Sequence, residues 1–410
     1  MTDLPAVARR FLRYVQFDTQ SSVDSHTYPS TAKQRALLES LLEELVGLGL
    51  EDARMDQYGY VTATLPSNVR HKVHVVGLIA HVDTSPDVSG AGVNALVHAD
   101  YDGKPIRLND KVLTSELAPR LQEHIGHTII TGDGSTLLGA DDKSGIAEIM
   151  TCLEVLKANP SIPHGELKIA FTPDEEVGNG TKFFDVRKFG ADYAYTVDGG
   201  PAGEIDNETF SANSAVATFT GVNVHPGLAK DKLASAIKAA ALFVDLLPHQ
   251  MSPEETDGKQ GYLHPTSVAG SVEAVTLNLI LRDFEESQLK AQQAVLEDIK
   301  KVVVLAFPKV QIAISIEESY RNLRSVLDKY PLVVDNAVEA IRRCGLQPSL
   351  KAIRGGTDGS RLSYMGLPTP NLFTGGNLAH SYYEWVCIED MEKAVQTLCH
   401  LVQIWVEKSQ

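Results

Sequence analysis

The sequence has 410 residues, more than one ordinary hydrophobic core supports, so we expect two domains. Hydrophobic residues make up 43% of it and charged residues 22%, proportions that are typical of a soluble globular protein. The formal net charge of −16 disfavours nucleic acid and anionic membranes as partners, because both require clustered Lys and Arg side chains.

Apolar stretches and cysteines restrict the class of protein further. The longest apolar stretches, such as residues 73–80, are far shorter than the roughly 20 residues of a transmembrane helix. The N-terminal segment contains Asp3 and no apolar core, so we expect no signal peptide. The four cysteines are widely spaced and form no Cys-x-x-Cys pair. This favours free thiols in a reducing cytoplasm over disulfides or a thiolate zinc site.

In chain order, the first half alternates between helical and strand patterns. Apolar residues at helical spacing between positions 37 and 46 predict an amphipathic helix that Ser30 or Thr31 can cap. Further elements are predicted as a strand at 73–80, a helix at 144–157, and strands at 167–171 and 191–197. Strands separated by helices predict an α/β fold with a mostly parallel sheet that helices cover on both faces.

From about residue 209 the pattern changes to that of a second domain. The predicted elements are a strand at 210–224, a helix at 228–247, strands at 267–272 and 274–282, a helix at 285–305 and a strand at 310–316. This β-α-β-β-α-β order is that of a ferredoxin-like α+β unit. Afterwards the first pattern resumes, with a helix at 330–344, a strand at 350–353, a helix at 358–364, a strand at 370–373 and a helix from about 388. We therefore predict a discontinuous first domain, 1–208 and 319–410, and an inserted domain, 209–318.

Two adjacent glutamates, Glu175 and Glu176, follow the strand predicted at 167–171. Neighbouring carboxylates repel each other unless a cation lies beside them. Because successive side chains point in different directions, one of the two can bind a cation while the other faces a substrate. The alternative is a solvated turn.

Four other ligand-type residues follow separate predicted strands or lie in loops between the elements; they are His81, Asp141, Asp198 and His380. In open α/β sheets, ligands gather beyond the carboxyl ends of the strands, so we expect these residues to meet Glu176. Five imidazole and carboxylate groups without a thiolate suit a pair of zinc-like ions with one bridging carboxylate. Asp83 lies two residues after His81 on the same side of the strand and can fix the imidazole tautomer.

The turn at 139–145 also has features of a phosphate loop. However, Asp142 stands where such a loop requires Gly before Lys143, and two acids there would repel phosphate. A carboxylate directed at a metal fits better, and a helix start stabilised by an acid near its positive end is the remaining alternative.

The set of motifs resembles a known family. The segments His81-Val-Asp83, Gly139-Ala-Asp-Asp-Lys143, Asp174-Glu-Glu176 and Asp198-Gly-Gly200, with the late His380, are similar to those of two-zinc metallopeptidases. That family includes glutamate carboxypeptidase, cytosolic dipeptidases and aminoacylase, and the resemblance is strongest to its tripeptide aminopeptidases. It extends across nearly the whole chain. It implies a zinc exopeptidase-like catalytic domain, with the inserted domain as a lid.

The resemblance implies a role for each residue. His81 and Asp198 would bind one zinc, Glu176 and His380 the other, and Asp141 would bridge both. Asp83 would orient His81, Glu175 would be the catalytic base, and the peptide bond after Asp141 would be cis. Two Zn²⁺ per chain are implied, with Co²⁺ or Mn²⁺ as substitutes.

The implied activity is hydrolysis of the N-terminal residue from tripeptides. A dipeptidase, a carboxypeptidase or an N-acyl amino acid hydrolase of the same family is the alternative, and a non-catalytic peptide-binding protein is a further one. The substrate carboxylate requires a cation, for which His225, Arg282 and Arg354 are candidates. His225 can instead support the oxyanion, and Arg282 can instead pair with Asp283.

The remaining expectations concern location, assembly and the other histidines. We expect a cytoplasmic enzyme. Relatives often dimerise through the lid, so a homodimer is an option, although no decisive apolar patch is visible. The histidines at positions 26, 71, 74, 98, 124, 127, 164, 249, 264 and 400 have no ligand-type neighbours in the sequence pattern, and we expect them on the surface.

Overall fold

The computed structural model describes residues 4–409. Asp3, on which the expectation of no signal peptide partly rests, lies outside the described residues. The helices are α1 (Ala6–Tyr14), α2 (Gln34–Gly47), α3 (Ala140–Ala158), α4 (Val186–Phe189), α5 (Ala236–Asp245), α6 (Glu286–Ala306), α7 (Arg324–Leu327), α8 (Pro331–Arg343), α9 (Asp358–Tyr364) and α10 (Ile388–Glu407). Within this range, none of them is long and apolar enough to cross a membrane.

The strands are numbered in chain order. They are β1 (Arg54–Met55), β2 (Val61–Leu65), β3 (Val76–His81), β4 (Leu96–His98), β5 (Ile106–Leu108), β6 (Lys111–Leu113), β7 (Ile129–Thr131), β8 (Leu167–Thr172), β9 (Tyr193–Gly199), β10 (Glu204–Thr209), β11 (Ser211–Thr220), β12 (Tyr262–Gly270), β13 (Ala274–Asp283), β14 (Gln311–Tyr320), β15 (Ser349–Ile353), β16 (Asn371–Phe373), β17 (Gly376–Asn377) and β18 (Trp385–Cys387).

The chain divides into two compact units. The first comprises the described chain up to Asn207, Ser325–Lys351 and the chain from Thr357 onward. The second comprises Glu208–Arg324 and Ala352–Gly356. These bounds differ from the predicted segment 319–410 at two places. Strand β14 continues to Tyr320, and the backbone N–H of Phe210 bonds to carbonyls in the 352–356 segment.

The larger sheet carries the predicted α/β architecture. Among the described residues it has eight strands in the order β1-β2-β8-β3-β9-β16-β10-β15. The central strands β8, β3, β9 and β16 run parallel, whereas β2 and β10 pair antiparallel on either side of them. All six residues of β3 are buried, as expected for a strand covered on both faces. Helix α3 packs on β3 and β9, and α2 contacts β1 and β2, so the predicted fold class is confirmed.

A smaller sheet in the first unit was not predicted. Its order in the described chain is β17-β18-β7-β4, and β5 and β6 form a separate hairpin. A compact apolar cluster that includes Leu108, Leu121, Ile129, Trp385 and Cys387 lies beside it. These strands are two or three residues long, too short for an alternating pattern to identify them.

The second unit has the predicted ferredoxin-like order. Its antiparallel sheet is β12-β13-β11-β14, and α5 and α6 contact β11 and β13. Burial alternates along β13, where Val275, Leu277, Leu279 and Leu281 are buried and their neighbours are mostly exposed. This period of two is the pattern of a sheet with one face on a core.

Several predicted boundaries are wrong. The helix predicted at 228–247 begins only at Ala236, where the side chain of Ser235 accepts the N–H of Lys238. The strand predicted at 267–272 begins at Tyr262 and ends at Gly270. Ser30 and Thr31 do not cap α2, which begins at Gln34, because their hydroxyls bond to Asp174 and to the backbone of Gln20 instead.

Candidate metal centre and catalytic residues

Five predicted ligand residues come together in the first unit, where the central strands of the larger sheet end. They are His81 at the end of β3, Asp141 at the start of α3, Glu176 after β8, Asp198 near the end of β9 and His380 after β17. Because β8, β3 and β9 are parallel neighbours, their carboxyl ends lie at one edge of the sheet. Residues far apart in sequence therefore meet there.

The five residues form two groups of three that share Asp141. In one group, ligand atoms of His81, Asp141 and Asp198 lie within 4.8 Å of one another. In the other, ligand atoms of Asp141, Glu176 and His380 do so. Each group has nitrogen and oxygen donors that can hold a divalent ion, and the shared carboxylate can bridge two such ions.

Asp141 directs its two carboxylate oxygens at different histidines. Its Oδ1 lies 2.9 Å from Nε2 of His81, and its Oδ2 lies 3.3 Å from Nε2 of His380. Each imidazole nitrogen faces a second carboxylate as well. Oδ1 of Asp198 lies 3.4 Å from Nε2 of His81. Oε2 of Glu176 lies 2.8 Å from Nε2 of His380.

The charges of the site fit a pair of divalent cations. Three carboxylates lie close together, and in the described chain no Lys or Arg nitrogen lies within 4.0 Å of them. The Oε1 atom of Glu176 is buried without a hydrogen-bond partner among the described residues. Buried carboxylates without such partners are costly, and two dications would compensate their charge. The solvated-turn alternative for Glu176 is wrong, because its side chain is only 5% exposed.

Burial and mutual repulsion shift the pKa values of the ligand groups. Burial raises the pKa of Asp198 to about 7, and burial with the charge of Asp141 raises that of Glu176 to about 8. Burial alone would lower the pKa of His81, but the carboxylates of Asp198 and Asp141 raise it well above its ordinary value. Hydrogen bonds to Asp141 and Glu176 raise the pKa of His380 to about 11. Strongly shifted groups gathered at one place are typical of a functional site.

Asp83 contacts His81 and both adjacent glutamates. Nδ1 of His81 lies 3.0 Å from the backbone oxygen of Asp83 and 3.4 Å from its Oδ1, so the carbonyl is the nearer acceptor. The carboxylate of Asp83 accepts the backbone N–H of Glu175 at 2.9 Å and that of Glu176 at 3.2 Å. The sequence indicated only the contact with the imidazole. The structure adds that the same carboxylate orients the turn of the two glutamates.

Glu175 belongs to neither metal-binding group. Burial, together with the charges of Asp358, Asp198 and Glu176, raises its pKa well above the ordinary value for a carboxyl group. Asp358, at the start of α9, accepts a hydrogen bond from the Thr172 hydroxyl at 3.1 Å and was not singled out from the sequence. A carboxylate that lies beside the ligands but outside them is available to exchange protons with a substrate.

A carboxylate that sequence reasoning missed holds the turn before Asp141. Oε2 of Glu384 accepts the backbone N–H groups of Leu138 at 2.8 Å and Gly139 at 2.7 Å, and its Oε1 accepts that of Asp141 at 3.0 Å. The peptide bond between Asp141 and Asp142 is cis, as the resemblance implied. The Gly-rich turn is the signal that could have pointed to such a partner, because its N–H groups require an acceptor.

The phosphate-loop alternative is wrong. The ammonium group of Lys143 is buried and donates to the backbone oxygen of Phe17 at 2.7 Å. The carboxylate of Asp142 accepts the backbone N–H of His81 at 3.1 Å. The ammonium group of Lys143 therefore makes a hydrogen bond within the protein and is not directed at a phosphate ligand.

A cavity of about 370 Å³ in the first unit is lined by three acids of the turn and strand end. These are Asp141, Asp142 and Asp198, and the lining also includes Glu384, Thr374 and residues 199–201 and 376–379. Arg120 is the cation of this lining, and its guanidinium lies 2.7 Å from Oε1 of Glu204. Such a volume is in the range of small-ligand sites.

The three candidates for substrate binding belong to the second unit, whereas the ligand residues belong to the first. His225 is exposed, and its Nδ1 accepts the N–H of Gly227. Arg282 donates to the backbone oxygens of Asn213 and Leu281, which replaces the pairing with Asp283 considered as its alternative. The guanidinium of Arg354 lies over the rings of Phe210 and Tyr262, at 5.4 and 5.5 Å from their centroids.

The expectation that the other histidines lie on the surface is wrong for several of them. His124 and His164 are buried, and His98 and His127 are partly buried. His124 and His127 also meet Cys387, a contact between segments that are far apart in sequence. All four cysteines are buried free thiols.

Comparison with known proteins places these residues in a family. The family described as Peptidase family M20/M25/M40 matches residues 133–404. Peptidase T of Geobacillus kaustophilus (strain HTA426) is 46% identical over 403 residues, which cover 98% of this chain and 98% of the relative.

Solved structures share the fold. A tripeptidase from Staphylococcus aureus has a TM-score of 0.76 at 23% identity and covers 98% of both chains. A dinuclear metal binding peptidase of the M20 family from Bacillus subtilis has a TM-score of 0.66 at 15% identity, covering 98% of this chain and 99% of its own. With the full-length similarity to its relatives and the family match over most of its length, the chain belongs to peptidase family M20/M25/M40.

Proposed function

We propose that this chain is a metallo-aminopeptidase that removes the N-terminal residue from tripeptides. The observation that carries the proposal is the position of Glu175, which is next to two ligand groups that share Asp141 and belongs to neither of them. A relative named peptidase T at 46% identity and a tripeptidase of the same fold support the substrate class.

Two divalent ions of the zinc class fit the donors of the site. His81 and Asp198 would hold one ion, Glu176 and His380 the other, and Asp141 would contact both. When bound, such ions polarise a peptide carbonyl and lower the pKa of a water molecule. A solved structure of the same fold described as dinuclear supports this number.

Glu175 moves the protons of the reaction. Its carboxylate takes a proton from the water that attacks the peptide carbonyl and delivers it to the leaving amine. The carboxylate therefore ends the reaction in the protonation state in which it began. Asp83 holds the backbone N–H groups of Glu175 and Glu176 and the imidazole of His81, which fixes the base relative to the ligands.

The substrate carboxylate requires a cationic partner. Arg354 is a candidate from the second unit, since stacking on Phe210 and Tyr262 holds its guanidinium in place. Arg120 is a candidate from the first unit, because it lines the same cavity as Asp141 and Asp198. Loss of the relevant arginine is expected to raise KM for free tripeptides and to leave KM for C-terminally amidated tripeptides unchanged.

The proposal is tested by measuring the release of the first residue from di-, tri- and tetra-alanine and from N-blocked trialanine, with and without a chelator. We expect free trialanine to be cleaved fastest and the chelator to abolish cleavage. Equal rates on blocked and free trialanine would contradict the aminopeptidase and indicate a carboxypeptidase or an N-acyl amino acid hydrolase. Faster cleavage of dialanine would indicate a dipeptidase, and no cleavage of any peptide by the metal-loaded protein would indicate a binding protein.

The location we propose is cytoplasmic. Its support is the state of the cysteines, which are four buried free thiols. Buried thiols without disulfides are typical of proteins in a reducing compartment.

A further inference from the structure

Two histidines and a cysteine meet beside the smaller sheet of the first unit. His124 ends a 3₁₀ turn, Pro119–His124, and His127 lies two residues before β7. Cys387 ends β18, which pairs antiparallel with β7 so that Cys387 lies opposite Ile129. The strand pairing therefore brings the thiol to the two imidazoles across about 260 residues of sequence.

The ligand atoms of these residues converge on one point. The Nδ1 atoms of His124 and His127 are 3.3 Å apart, and Sγ of Cys387 lies 3.7 Å from Nδ1 of His127. A tetrahedral zinc ion, with bonds of about 2.0–2.1 Å to nitrogen and 2.3 Å to sulfur, separates two nitrogens by about 3.3 Å and a nitrogen from a sulfur by about 3.6 Å. The two distances from Nδ1 of His127 match those of a metal-bound set, and all three ligand atoms lie within 4.8 Å of one another.

Two neighbouring acids contact the three residues. Oε2 of Glu389 lies 3.2 Å from Sγ of Cys387, and the carboxylate of Glu389 also accepts the backbone N–H of Thr128 at 3.0–3.1 Å. Oδ2 of Asp390 lies 3.6 Å from Nε2 of His124, on the far side of that ring from the cluster. A carboxylate at the second nitrogen of a histidine is the usual partner of a metal-binding imidazole.

We infer that His124, His127 and Cys387 bind a third, zinc-like ion. We assign the ion a structural role, because Cys387 belongs to the apolar cluster that also contains Trp385. It joins the turn before β7 to β18. Since Glu384 directly precedes β18, the ion also anchors the carboxylate that holds the Asp141 turn.

Cobalt substitution distinguishes this site from the strand-end cluster, the group of His81, Asp141, Glu176, Asp198 and His380. That cluster has no sulfur ligand. The full-length protein is stripped of metal, loaded with Co²⁺ and examined for thiolate-to-cobalt charge-transfer absorption in the near ultraviolet. We expect this absorption in the unchanged protein and in Cys344→Ser, a matched variant of a buried thiol elsewhere. We expect its loss in Cys387→Ser. Absence of the absorption from the unchanged protein would overturn the proposal and leave a hydrogen-bonded cluster in which Cys387 donates to Glu389.

Metal analysis after zinc loading provides the second measurement. We expect one zinc ion fewer per chain in His127→Gln than in the unchanged protein. His127 is partly exposed, so this variant retains the fold more readily than one at a buried ligand. An equal zinc content in the two proteins would contradict the proposal. Neither measurement uses peptidase activity, so the result is independent of the proposed function.

Discussion

The two histidine-containing clusters of the first unit are built in different ways. The strand-end cluster draws its ligands from five segments between His81 and His380 and contains three carboxylates and no sulfur. The small-sheet cluster takes its converging ligands from two segments and contains a thiol, Cys387. The strand-end cluster also lines a cavity, whereas the small-sheet cluster lies against an apolar core.

This difference indicates different roles. Hard oxygen ligands, an open cavity and a spare carboxylate suit a centre that binds and hydrolyses a substrate. A thiol that belongs to an apolar cluster suits an ion that ties two chain segments together. We therefore expect each cluster to respond separately when one of its residues is changed.

The largest effect is expected from Asp141→Asn, because Asp141 contributes to both ligand groups of the strand-end cluster. We expect peptidase activity to fall by more than about 10⁴-fold, beyond the loss expected for a general base alone. Zinc content is expected to fall by about two ions per chain, while the cobalt–thiolate absorption of the small-sheet cluster persists.

The control for this variant is Asp110→Asn, which changes a carboxylate whose side chain is 82% exposed in the hairpin of β5 and β6. It is expected to keep activity, zinc content and absorption. If Asp141→Asn retained its full zinc content, Asp141 would not be the bridging ligand and the comparison of the two clusters would fail.

The next effect is that of Glu175→Gln, which removes the proposed base and leaves both groups of ligand-type residues intact. We expect kcat to fall by roughly 10²–10⁴-fold. Zinc content and KM for trialanine are expected to stay near those of the unchanged protein, because Glu175 belongs to neither group of ligand-type residues. Steady-state kinetics and metal analysis on the same preparation provide the check. A variant that keeps its kcat would exclude Glu175 as the base.

The sequence predicted the strand-end cluster well because its geometry follows from topology. Once His81, Glu176 and Asp198 are assigned to the ends of strands in one parallel sheet, they must meet at one edge. The core strands were equally predictable, since an apolar run such as 167–171 can only be buried. The fold class and the ferredoxin-like order followed from the same patterns.

The small-sheet cluster was beyond the reach of sequence patterns. Its strands β7 and β18 have three residues each, and nothing in either segment specifies that Cys387 pairs opposite Ile129. The wide spacing of the cysteines even argued against a thiolate site. Glu384 was missed for a related reason, because its contacts with the Asp141 turn depend on the packing of a loop and not on a period.

A smaller effect is expected from Asp83→Asn, since Asp83 positions groups without touching a substrate. An Asn side chain has one oxygen and cannot accept the N–H groups of both Glu175 and Glu176 as the carboxylate does. We expect a loss of about 10–100-fold in zinc affinity or kcat. Zinc titration of the metal-free protein against a competing chelator measures the affinity. A change confined to the stability of the fold, with unchanged affinity and kcat, would contradict a positioning role.

The smallest effect is expected at Glu148, a buried carboxyl group on α3. It interacts electrostatically with acids beside both clusters. Burial, and then the charges of Asp142 beside the first cluster and Asp390 beside the second, raise its pKa well above the ordinary value. Neither of its oxygens has a hydrogen-bond partner in the described structure. The folded protein therefore keeps this proton while the unfolded chain releases it near pH 4.5. The free energy of unfolding then falls by about 1.4 kcal/mol per pH unit between that value and the raised pKa of the folded state.

Glu148→Gln lacks this proton equilibrium. We expect the variant to gain stability relative to the unchanged protein as the pH rises from 5 to 8, measured as the difference in Tm at each pH in the metal-loaded state. Glu154→Gln, on the exposed face of the same helix, serves as the control and is expected to change stability by less than about 1 kcal/mol. A Tm difference for Glu148→Gln that did not change with pH would mean that Glu148 is ionised in the fold. A cation from one of the two clusters would then have to lie close enough to Glu148 to stabilise the charge.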